Sequence, residues 1–98
     1  MKSLKLPPDL RIQSATTVRD RLLRALEGSG PLRLQGGAVE RVDTAGVQLL
    51  VAAKAEAGRR GRELQLVAPS TALAEGLAGL GFASLFSLPE PRADRAAK

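Results

Sequence analysis

The chain has 98 residues, with 15 Lys and Arg against 10 Asp and Glu for a formal net charge of +5, and it contains no Cys, His, Trp or Tyr. Without Cys or His there is no disulfide scaffold, no thiolate metal site and no nucleophilic triad built on either residue. No apolar run approaches the roughly 20 residues of a membrane span, and the first residues lack the apolar core of a secretory signal, so a cytoplasmic protein is expected.

Ser3 to Leu6 is read as a short strand, interrupted by Pro7-Pro8. Asp9 to Ile12 alternates polar and apolar and is read as a second. Ser14 to Glu27 is the clearest helix. Ser14 stands at its N-cap, and Ala15, Val18, Leu22, Ala25 and Leu26 fall on one face. Gly28-Ser-Gly-Pro31 ends it. Leu32 to Gln35 is a short buried strand, and Gly36-Gly37 breaks it.

Ala38 to Val42 bring the chain to Asp43-Thr44, where a second helix begins and runs from about Ala45 to about Ala57. Gly58-Arg-Arg-Gly61 is its expected stop. Glu63 to Val67 alternates as a strand. Ser70 caps a third helix, Thr71 to Leu80, with Leu73, Leu77 and Leu80 on a common face. Phe82 to Leu88 is an apolar segment that reads as a turn and a last edge strand. Residues 1–88 are expected to form one domain, and 89–98, where the apolar pattern is lost, a disordered tail.

Strands alternating with helices give an α/β fold: a small, mixed, mostly parallel sheet of about four strands packed with about three helices. The basic residues are scattered. Single-stranded nucleic-acid binding would need stacking aromatics beside them, and the chain has only Phe82 and Phe86. No nucleic-acid partner, cofactor or metal is expected, and the parts of an enzyme active site are missing. Arg59, Arg60 and Arg62 read as a solvated turn.

The organising stretch is Val39 to Leu50. Asp43 and Thr44 are both good N-cap residues. A hydroxyl at a helix start serves as a cap alone or as a place where an added phosphate is tolerated, because the helix dipole and free amides favour an anion there. Asp43 either caps the helix or pairs with an Arg, or it positions the hydroxyl or a kinase's metal. Gly46 serves tight packing or gives a partner's backbone access. Gln48 and Ala52, by spacing on the outer side of the helix, form a plain exposed face or a partner face.

The run Val42-Asp43-Thr44-Ala45-Gly46-Val47-Gln48-Leu49-Leu50 resembles the signature of the STAS domain family, typified by bacterial anti-sigma factor antagonists. Arg59 to Val67, Pro69-Ser70 and Leu80 to Phe86 are similar to the family's following loop and strand, third-helix start and closing segment. The family often has Asp or Asn at the end of the strand before the switch site, where this chain has Gln35. The resemblance implies a small sheet backed by helices, no catalytic activity, and a protein-interaction switch. It implies that Thr44 is the phosphoacceptor of a partner serine/threonine kinase. It also implies that the unmodified form binds that anti-sigma factor or another regulator through Asp43, Thr44, Ala45, Gly46, Gln48 and Ala52. The abbreviated N-terminus is similar to STAS proteins of chemotaxis operons and to the STAS subunit of lipid-transport ABC complexes. That similarity implies the alternative: a constitutive subunit or adaptor docked on an ATPase.

Overall fold

The computed structural model of the chain describes residues 2–88; the tail assigned to 89–98 lies outside them. In chain order the elements are β1 (Lys2–Lys5), β2 (Asp9–Leu10), a 3₁₀ turn (Ile12–Ser14), α1 (Ala15–Leu26), β3 (Leu32–Gln35), β4 (Arg41–Val42), α2 (Thr44–Arg59), β5 (Leu64–Val67), α3 (Thr71–Gly79) and a second 3₁₀ turn (Ser84–Phe86). The α/β class and three helices stand as expected. The strands divide in two: β1-β3-β5 form one sheet, β2 and β4 a second, and every pairing is parallel.

The register explains the alternation in the sequence. Leu4, Leu34 and Leu66 stand side by side across the three strands, as do Leu32 and Leu64. This leucine face carries the core and packs against Val18, Leu22 and Leu26 of α1 and Val47 and Leu50 of α2. The opposite face (Ser3, Lys5, Arg33, Gln35, Gln65) is exposed. Parallel sheets are ordinarily covered on both sides and read as unbroken apolar runs. Here a single cover leaves period-two strands, which is why four-residue segments were legible at all.

Several local readings change. Asp9 to Ile12 is not one extended strand: pairing stops at Leu10, and Ile12 is 66% exposed within the 3₁₀ turn. Ser14 precedes α1 without capping it, because its hydroxyl donates backwards to the Asp9 carbonyl at 2.7 Å. The helix is entered through the 3₁₀ turn, and Ser14, at φ −106° and ψ 3°, lacks the extended backbone of a capping residue. Gly58 lies inside α2, which continues to Arg59. The left-handed turn falls on Gly61, with φ of +69°. Glu56 holds this last turn by accepting from Arg59 and Arg60, three and four residues on.

Ser70 does cap α3, its hydroxyl accepting from the Leu73 amide at 3.1 Å. Leu73 and Leu77 are buried, but Leu80 follows the helix and is 44% exposed. The expected last strand is instead a 3₁₀ turn that buries Phe86, with the Lys54 ammonium 5.9 Å from the ring centre.

The arginine run holds the largest correction. Arg59 and Arg60 are exposed, but Arg62 is buried and faces inward with Leu64 and Leu66. Its guanidinium donates to the carbonyls of Ala25 (2.6 Å), Gly30 (2.7 Å) and Ser29 (3.3 Å). Arg60 adds a bond to Leu26 at 3.1 Å. Two arginines after α2 thus hold the unpaired carbonyls at the end of α1 and the loop beyond it, the negative end of that helix's dipole.

Candidate functional site

The site is built where β4 runs into α2. Val42 ends a two-residue strand, Asp43 is extended, and Thr44 is the first helical residue. Asp43, rather than Thr44, is the cap. One of its carboxylate oxygens accepts from the Gly46 amide at 3.0 Å, and the other accepts from the Ile12 amide at 3.0 Å. The same residue therefore closes the helix start and ties it to the segment after β2. These amide donors, first Gly46 and then Ile12, hold the Asp43 carboxyl below its ordinary value of 3.8 against the opposing effect of burial; Arg11 nearby adds to the lowering.

With Asp43 occupying the cap, the Thr44 hydroxyl is released from that duty and the residue is exposed. Gln48 and Ala52, one and two turns on, are exposed as well, and Ala45 is half-buried. The outer-face placement of Gln48 and Ala52 is thus as read from spacing. Gly46 is buried, and a Cβ built on it would run into the carbonyl oxygen of Leu10. Of the six residues singled out, five are partly or fully accessible along one side of α2. Gly46 lies beneath them and lets α2 sit against β2.

The structure adds a feature that sequence reasoning missed. The start of α2 and one side of α3 bound a depression of about 310 Å³, with Asp43 and Thr44 on one wall and Glu75, Gly76, Gly79 and Leu80 on the other. Gly76 lets α3 sit close against Val42, where an added Cβ would come within 2.8 Å, Gly79 leaves its part of the wall open, and exposed Leu80 stands at the rim. No Lys or Arg lines the depression, so Thr44 faces two carboxylates. The sequence held no signal for it, since spacing placed Leu80 on the buried face with Leu73 and Leu77. Among the described residues, no three His, Cys, Asp or Glu gather as a metal site, and no helix is long and apolar enough to cross a membrane.

Two carboxylates at this site and one at the far end of α2 give an acid limit to stability. Asp9 is lowered chiefly by its hydrogen bond from Arg11, and Glu56 by those from Arg60 and Arg59. Asp43 is lowered as described. Each has a folded value below its unfolded one, so each stabilises the fold above the ordinary values of 3.8 (Asp) and 4.5 (Glu). That contribution is lost as pH falls through the lowered values. The melting temperature is expected to be level from neutral pH to roughly pH 5 and to drop below about pH 4. A scan of melting temperature against pH that stays level down to about pH 3 would show that these bonds do not hold the fold together.

A single-cover parallel sheet with an aspartate-capped helix carrying an exposed hydroxyl defines a class of small α/β domain, and comparison with known proteins identifies it. The family described as "Mlab, STAS domain" matches residues 2–88, and the chain belongs to the STAS domain family. Among solved structures, a sulfate transporter family protein from Wolinella succinogenes aligns with a TM-score of 0.71 at 21% identity, over 88% of this chain and 70% of that one. The anti-sigma factor antagonist SpoIIAA in its unphosphorylated form aligns with a TM-score of 0.71 at 14% identity, over 97% of this chain and 83% of that one. The Bacillus cell fate determinant SpoIIAA in its phosphorylated form aligns at 0.66 and 14%, over 97% and 86%. At these identities the likeness is one of fold. A comparison with curated proteins finds no match.

Proposed function

We propose that this STAS domain is a non-catalytic, cytoplasmic regulatory module that binds a protein partner through the start and outer side of α2 and is switched by phosphorylation of Thr44. The partner is a serine/threonine kinase of the anti-sigma type or a comparable regulator. Asp43, Thr44, Ala45, Gln48 and Ala52 supply the contact, and Gly46 supplies the close packing that presents it.

The observation that carries the reading is the position of Thr44: exposed, first in its helix, and opposite Glu75 beside Asp43. A phosphate there adds roughly −1.5 to −2 charges at pH 7. The positive end of the α2 dipole tolerates it, so the domain stays folded. A partner packed against neutral Thr44 would instead meet a phosphate reinforced by two carboxylates. No Lys or Arg lines the depression, and Arg11, near Asp43, already pairs with Asp9, so the added charge is felt chiefly in binding.

The test uses the partner captured from the native cell on the wild-type domain. Thr44→Glu is expected to lose at least about tenfold in affinity, the equivalent of about 1.4 kcal/mol, while Thr44→Ala retains binding and both melt like wild type. Equal binding by the two variants, with no phosphothreonine in protein from the native cell, would overturn the switch. That result would favour a constitutive subunit, such as an adaptor of a lipid-transport ATPase or a chemotaxis assembly.

A further inference from the structure

α1 and α2 lie side by side on the leucine face of the sheet, and the seam between their outer surfaces is a groove of about 200 Å³. Its floor and walls are aliphatic: Leu22, Leu23, Leu26, Leu49, Ala52 and Ala53. Leu23 is 42% exposed, one of few large apolar side chains in the described residues that are so accessible. The groove shares no residue with the depression beside Thr44, and of the contact surface proposed above it shares Ala52 alone.

We propose that this groove seats an amphipathic helix from a protein partner, aliphatic on the face that enters and carrying Asp or Glu along its flanks. The inference does not rest on the Thr44 switch. Its shape suits a helix. Ala52 and Ala53 keep one wall low enough for a backbone to come near, and Leu23 on the opposite wall fits between successive turns of an incoming helix. Apolar stripes at helical spacing dock in grooves of this kind.

Charge selects the occupant. Arg19 stands on the rim from α1 and Arg59 from α2. The rim's own carboxylate, Glu56, is already shared between Arg59 at 2.5 Å and Arg60 at 2.8 Å, so that end is cationic on balance. Arg19 reaches its neighbour Asp20 only at 3.6 Å, with both side chains more than half exposed. A second copy of the chain would set two cationic rims together and join two molecules of net charge +5. A helix with carboxylates on its flanks meets opposite charge on both sides, which favours encounter as well as register.

The probe is an 18-residue helical peptide, acetylated and amidated, with Leu along one stripe and Glu on its flanks; a second peptide replaces every Glu by Lys. Both are titrated into the isotopically labelled protein and followed through its backbone amide signals. The Glu peptide is expected to shift the amides of Leu22 to Leu26 and Ala52 to Glu56 while leaving Glu75 to Leu80 in place. The Lys peptide binds at least about tenfold more weakly. Leu23→Glu, at an exposed position, keeps the folded spectrum and loses about tenfold in affinity, and Arg19→Glu with Arg59→Glu reverses the preference between peptides. Absence of shifts at about 1 mM Glu peptide, shifts mapping elsewhere, or equal affinity for both peptides would overturn the proposal. So would groove shifts that appear on concentrating the protein alone, which would assign the face to a second copy.

Discussion

Gly46→Ala is expected to lower the stability of the domain by at least about 3 kcal/mol. The added methyl collides with the backbone carbonyl of Leu10, which cannot rotate away as a side chain would. Leu10 is itself fully buried and paired with Val42, so relief requires moving β2 or the first turn of α2. Moving the turn breaks the bonds from Ile12 and Gly46 to Asp43. The better helix propensity of Ala, about 1 kcal/mol, runs the other way and is outweighed. Gly58→Ala on the same helix is the control. Nothing lies within 4 Å of a Cβ there, so it should be neutral or stabilising by up to about 1 kcal/mol. Urea unfolding of the pair decides the matter: equal midpoints would mean that α2 does not rest against Leu10.

Arg62→Ala is expected to cost about 3 kcal/mol, again a large share of the 5–15 kcal/mol by which domains are ordinarily stable. The loss strands the buried carbonyl of Ala25, empties the space of a buried side chain, and removes the bonds that hold the exposed Ser29 and Gly30 carbonyls. Arg62→Lys keeps the charge, but one ammonium cannot reproduce the fork that reaches all three, so it recovers only part of the loss. Because the head group is buried, the penalty should persist in about 0.5 M salt, where surface ion pairs such as Arg19–Asp20 are screened. A penalty that vanishes with salt would place Arg62 in solvent.

These two residues mark where the sequence stopped being legible. Elements with a period were readable: Leu32–Gln35 falls on the residues expected, and α1 buries Val18, Leu22, Ala25 and Leu26 as its spacing requires. The start of α2 was readable because Asp43 caps through local geometry. Ser14 was misread because the same side chain serves a carbonyl five residues back as readily as an amide ahead. Arg62 looked like one more exposed cation because its acceptors lie 32–37 residues away. The signal was nonetheless present: the inward alternation of Leu66 and Leu64 continues backwards onto position 62. Glu75 and Leu80 came to the site only through the packing of α3 beside β4 and α2, which no local pattern announces.

The bonds from Arg60 and Arg62 to the end of α1 also bear on how the surface between the helices behaves. They tie the two C-terminal ends together, which resists opening of the seam at that end. Whatever settles there meets a shape already in place, with little reorganisation to offset, and recognition becomes a matter of fit rather than of remodelling.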